Sequence, residues 1–203
     1  MLVNMKTPGV TVQPLVLMNG HSHFNEVFFE DVRTPKANIV GPLNQGWKVA
    51  MTTLMFERPY AGVGNYSDQI GRLVELSKHV HVDGGPAWEQ SWVRKKLVQF
   101  QIESEALKCT RLRGLTKVLK GQPHGPDGSM LKLCSSELGI NIAEFASELL
   151  TSAAVTNQAT ETVPDAPRRF NRVLNCGQYT IAGGTIEVQK NIMGERVLGL
   201  PKR

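Results

Sequence analysis

The sequence predicts a mainly α protein, an antiparallel four-helix bundle preceded by a few strands of an incomplete β-domain. Three observations carry that expectation. The first forty or so residues alternate and turn as strands do. Apolar residues then recur at helical spacing to near the C-terminus, and Gly- and Pro-rich breaks cut that helical part into segments.

In the first region, Val10-Thr11-Val12-Gln13 alternates, Met18-Asn19-Gly20 is turn-like, and Phe24 to Val32 (FNEVFFEDV) is rich in β-formers. Pro35 and Gly41-Pro42 close it, so residues 1–42 are expected to be a strand region, which the resemblance given below makes the C-terminal part of a β-domain, and 43–203 the helical domain. Two or three strands do not make a stable sheet alone, and this region therefore calls for cover from elsewhere. A first helix places Trp47, Ala50, Leu54 and Ala61 on one stripe, and Val63, Tyr66, Ile70 and Leu73 continue it beyond Pro59. After the break at Gly84 to Pro86, a second helix aligns Val93, Leu97, Phe100, Leu107, Leu115 and Val118. Gly121 to Gly128 reads as a loop, and Leu131, Cys134, Leu138, Ile142, Phe145 and Leu149 form a third stripe. A polar stretch near Thr156–Pro167 leads to a short helix at Arg169–Tyr179. Gly183-Gly184 ends it, and a last helix runs from about Thr185 to Val197.

Composition narrows the function. With 41% hydrophobic and 20% charged residues, the 203-residue chain has the balance of a globular protein with one good core. No apolar run reaches the ~20 residues of a membrane span, and the start, MLVNMKTPGV, has no signal-peptide pattern. Cys109, Cys134 and Cys176 lie far apart, without zinc-ligand or disulfide-framework spacing, and suggest a reducing, cytoplasmic setting. His21 and His23 sit in a turn, and His79 and His81 are not spaced for one helix face, so no metal site is expected. The net charge of +5 is spread along the chain, with short clusters such as Arg94-Lys95-Lys96, and argues poorly for nucleic acid. A phosphate-bearing small molecule suits it equally well.

One motif interrupts an apolar helix: Glu57-Arg58-Pro59, within ERPYAGVG. Counting from Trp47 at 100° per residue, Ala50, Leu54 and Ala61 fall at about 300°, 340° and 320°, with Glu57 at about 280° and Arg58 at about 20°. The pair thus brackets the apolar stripe. Two readings share that geometry: a buried structural ion pair, or a carboxylate whose proton affinity an apolar setting raises until it serves as a base.

Longer blocks bear on the choice. Residues 20–50, GHSHFNEVFFEDVRTPKANIVGPLNQGWKVA, resemble the end of the middle β-domain of the acyl-CoA dehydrogenase family running into its first C-terminal helix. Residues 180–201, TIAGGTIEVQKNIMGERVLGLP, resemble that family's closing segment. The resemblance spans the whole chain but only the C-terminal half of the family's architecture. It implies FAD-dependent α,β-dehydrogenation of an acyl-CoA thioester, a homo- or hetero-oligomer, and electron-transfer flavoprotein as acceptor. A non-catalytic bundle subunit supporting a complete dehydrogenase is the alternative. In many members the base is the glutamate of an E-G-T motif, a position held here by Gly183 of Gly183-Gly184-Thr185. The branch resembling the isovaleryl- and long-chain enzymes instead carries its base on the first C-terminal helix, immediately before an arginine. By that resemblance Glu57 is the base, Arg58 organises the site or contacts acyl-CoA, and Thr185 with Glu187 contacts FAD. Two family motifs have no counterpart. An R-x-F-G segment is replaced by His79 to Gly85, and a Q-x-x-G-G-x-G loop is unrecognisable in Thr151–Asp165.

Overall fold

The computed structural model describes residues 1–57, 66–122, 125, 127–150, 159 and 166–201. The chain divides into two compact units, residues 1–56 and 57–203.

In the first unit β1 (Val10–Leu15) pairs antiparallel with β2 (Phe24–Phe29), Val10 opposite Phe29 and Leu15 opposite Phe24. The expected turn joins them: the Gly20 N–H donates to the Leu17 carbonyl, and the Leu17 N–H to that of His21. Gly9 takes a φ of 89°, and a Cβ there would collide with the Glu30 carbonyl whose residue closes the hairpin base. Asn38 ties the ends of the unit together. Its carbonyl accepts from the Leu2 N–H at 2.8 Å, and its side-chain amide donates to the Leu2 carbonyl at 3.2 Å. Both hairpin faces stay open, leaving Phe24, Phe28 and Phe29 exposed.

Helix α1 (Gly46–Glu57) begins where expected, but its apolar residues do not form one stripe. Val49, Met51 and Leu54 are half-buried, whereas Trp47, Met55 and Phe56 are exposed, Trp47 by 77%. The apolar residues go all the way round, a composition that ordinarily belongs to a helix covered on every side. Ala61 and Val63 of the extended stripe lie outside the described residues.

The second unit is built on α2 (Tyr66–His79), α3 (Ser91–Leu119) and α4 (Asp127–Leu150), whose short connections make neighbours antiparallel. At the Gly84 break the chain forms a small hairpin, β3 (His81–Val82) with β4 (Gly85–Pro86), turned by Asp83 and Gly84 at positive φ. Helices α5 (Ala166–Cys176) and α6 (Ile186–Arg196) pack on α4, joined by a 3₁₀ turn over Gly177–Thr180. The core contains Leu73, Val93, Leu97, Phe100, Leu138, Ile142, Phe145 and Leu149, and Phe145 meets the rings of Phe100 and Trp92 edge-on at 5.6 and 6.0 Å.

Two expected stripe positions depart from the pattern. Leu115, in the C-terminal half of α3, is exposed because 29 residues outreach the 14 of α2. At 1.5 Å per residue the two helices span about 43 and 21 Å. Cys134 is exposed in a groove of about 430 Å³ between α3 and α4, lined also by Leu107 and Met130.

Candidate functional site

The turn between α5 and α6 is shaped by two adjacent glycines. Gly183 and Gly184 take φ values of 72° and 105°, a region other residues adopt only with strain. The Gly183 carbonyl accepts from the Gln189 side-chain amide at 3.0 Å. A Cβ on Gly184 would stand 2.5 Å from that amide nitrogen, so the second glycine is fixed by close approach as well as by φ.

Thr185 then caps α6, its hydroxyl accepting from the Val188 N–H at 3.4 Å. The Glu187 carboxylate, in the first turn, is held below the usual carboxylate range by its own backbone N–H and by the Thr185 hydroxyl. The structure thus brings Thr185 and Glu187 together as partners of one another. The Thr185 hydroxyl uses its donor and one of its two acceptor positions inside the turn.

Two groups behind this turn had no place in the sequence reading. Lys132 on α4 is 1% exposed, and its ammonium has no hydrogen-bond partner. Burial pulls its pKa down, and the Glu187 carboxylate partly opposes that shift. Gln189 is fully buried, with its carbonyl oxygen unpartnered. The available signal was the run Lys132, Ser136, Gly139, Ala143, a small and polar stripe at helical spacing beside the apolar one. Small residues there let neighbouring chain approach closely. The Ser136 hydroxyl lies 2.6 Å from the Tyr179 carbonyl, and the Tyr66 hydroxyl donates to the Ser135 carbonyl at 2.6 Å.

The helix N-terminus and the buried ammonium suit a negatively charged group, whereas the unsatisfied Gln189 oxygen suits an N–H or O–H donor; the dinucleotide FAD offers both. The fit belongs chiefly to the turn and its backbone, since the Thr185 hydroxyl proton is already committed to Glu187.

Glu57 is the last residue of α1. Its side chain, and Arg58 entirely, lie outside the described residues. The Q-x-x-G-G-x-G region also lies outside them, apart from residue 159. Where R-x-F-G was sought stands the β3–β4 hairpin. His21 and His23 face each other with ring centroids 5.5 Å apart, and among the described residues no three metal-ligating side chains gather.

Residues 44–198 match the profile of the acyl-CoA dehydrogenase C-terminal domain. The chain belongs to the acyl-CoA dehydrogenase family. Over its whole length it is 33% identical to acyl-CoA dehydrogenase IpdE1 of Mycobacterium tuberculosis, covering 50% of that protein. It is 26% identical to the rat mitochondrial short-chain specific acyl-CoA dehydrogenase over 97% of this chain and 47% of that one. Among solved structures, the ChsE4-ChsE5 complex of Mycobacterium tuberculosis superposes with a TM-score of 0.81 at 26% identity, over 99% of this chain and 52% of that one. The chain spans about half the length of these relatives. Among the described residues no helix is long and apolar enough to cross a membrane.

Proposed function

We propose that this chain supplies the helical half of an FAD-dependent acyl-CoA dehydrogenase, with the domain boundary near residue 42. The carboxylate of Glu57 takes the α-proton of the thioester, and the Cα–Cβ bond becomes double as the β-hydride leaves. FAD, when bound, accepts that hydride. Arg58 contacts the acyl-CoA moiety, and the Gly183–Gly184–Thr185 turn with Glu187 holds the cofactor.

The observation that carries the reading is Gly183. The place where many family members carry a base has no side chain, so the carboxylate has to come from elsewhere. Glu57-Arg58 stands where the isovaleryl- and long-chain-like branch keeps it. The start of the family match at residue 44 supports the boundary. The ChsE4-ChsE5 structure, a complex of two chains, favours a hetero-oligomer here as well. It also sustains a second reading, a partner subunit without chemistry of its own, which the unmatched His79 to Gly85 segment favours.

Anaerobic mixing of the complete, flavin-loaded protein with a panel of acyl-CoA thioesters separates the two. Flavin reduction together with formation of an enoyl-CoA supports the dehydrogenase. Reduction that persists when this chain's Arg58 becomes Lys and Glu57 becomes Ala supports the silent partner.

A further inference from the structure

We propose that a cleft among α2, α4 and α5 binds a phosphoryl group. The inference goes beyond the dehydrogenase reading and stands on other residues. The cleft is lined by Gln69 and Arg72 of α2 and by Arg168, Arg169 and Arg172 of α5, over an apolar floor of Leu73, Ile142 and Ala146. Its free space is about 30 Å³, comparable with two water molecules and suited to the oxygens of one anionic group rather than a whole nucleotide.

Three features point to an anion. First, Arg168 and Arg169 occupy the first turn of α5, which contains no acidic residue. Cations at a helix N-terminus oppose the helix dipole, so the sequence places positive charge where the backbone already supplies it. Such a placement makes the start of α5 electropositive, which favours an anion there. Second, Arg169 reaches across to donate to the Arg72 carbonyl at 3.3 Å, which holds the α5 arginines against the α2 one. Third, the cleft contains buried polar capacity left unused. The Nε–H of Arg172, a donor, is shielded from solvent without a hydrogen-bond partner.

Among the described residues no carboxylate lines the cleft. Guanidinium forks match phosphoryl oxygens two at a time, and an apolar floor strengthens each contact by excluding water. The amide nitrogen of Gln69 can donate alongside them. The same chemistry serves a free phosphate, a diphosphate or the phosphate of a nucleotide ester. A nucleotide would leave its base outside a space this small.

Calorimetric titration of the complete protein tests the inference with three probes: inorganic pyrophosphate, 3′-AMP and uncharged adenosine. Saturable binding of either phosphorylated probe, and none of adenosine, is expected. Tighter binding of pyrophosphate marks a diphosphate source, and tighter binding of 3′-AMP a nucleotide monoester. Arg72→Ala and Arg168→Ala alter exposed side chains, so the fold is retained, and each is expected to weaken binding about 10- to 100-fold. Lys120→Ala, an exposed change at the far end of α3, serves as control and should leave binding unaltered. Equal weakening by Lys120→Ala would expose mere charge attraction and overturn the site. Failure of both phosphorylated probes to saturate would also overturn it. Because no probe contains a thioester and no readout involves flavin, failure here leaves the dehydrogenase reading untouched.

Discussion

Tyr66 shows how one side chain fastens three segments. Its phenol enters the core at the start of α2, reaches the Ser135 carbonyl of α4, and stands near Tyr179 of the 3₁₀ turn. Burial, and then Tyr179, push its pKa up to about 12. A raised phenol pKa means the fold favours the neutral form. That contribution is complete below the ordinary value near 10 and is lost as pH rises from 10 towards 12. Denaturant titrations should therefore lose roughly 2–3 kcal/mol over this window in the parent, beyond what Tyr66→Phe loses. Parallel pH profiles for the two proteins would contradict the assignment. Gly183 makes a second residue-scale prediction. Adding Gly183→Glu to Glu57→Gln should restore part of the activity by moving the carboxylate to the other family position. The recovery is limited by strain, since glutamate must adopt a φ of 72° at a cost of about 1 kcal/mol. No recovery of flavin reduction in the folded double variant would argue against one reaction centre reached from two backbone sites. Thr185 as a cap was legible from its place before the last helix. Lys132 was harder to read, because a lysine on the small, polar stripe of α4 has the pattern of a solvated face, and its burial arises from how that stripe meets neighbouring segments.

Among the elements, α4 carries the largest share of the architecture, and its Gly139 marks a close contact with two tyrosines. A Cβ at Gly139 would stand 3.2 Å from the Tyr66 oxygen and 3.4 Å from the Tyr179 ring. Gly139→Val should therefore destabilise by roughly 1–3 kcal/mol in chemical denaturation. Gly114, within α3, is the contrasting case, since nothing lies within 4 Å of its missing Cβ. There Gly114→Ala should stabilise by about 0.5–1 kcal/mol through helix propensity alone. Equal effects at the two positions would contradict the packing described for α4. The helices themselves were largely readable, since Leu97, Phe100, Leu138, Ile142 and Leu149 lie in the core at their expected spacing. The exposure of Leu115 was not readable, because periodicity reports which face is apolar and not whether a neighbouring helix is long enough to cover it. The β3–β4 hairpin escaped for a related reason. Four pairing residues give no alternation to detect, and the break at Gly84 gave only a turn.

On the scale of the whole molecule, apolar surface is left uncovered. The hairpin exposes phenylalanines, and α1 exposes Trp47, Met55 and Phe56. Apolar patches of this kind mark surfaces that meet a partner. Residues 1–203 expressed by themselves should accordingly associate at micromolar concentration, and a single monomeric species in sedimentation velocity would contradict that. The sequence blocks at 20–50 and 180–201 were enough to place the family. The reaction centre was less accessible, because its carboxylate is assigned by position along the chain. The most direct test is therefore rapid-mixing measurement of flavin reduction by acyl-CoA in the complete protein carrying Glu57→Gln. The amide keeps the shape of the side chain and cannot accept a proton. The account predicts unchanged acyl-CoA affinity with reduction slowed by ~10²–10⁴-fold. Reduction at the parent rate would contradict it and return Glu57 to the role of a structural ion-pair partner.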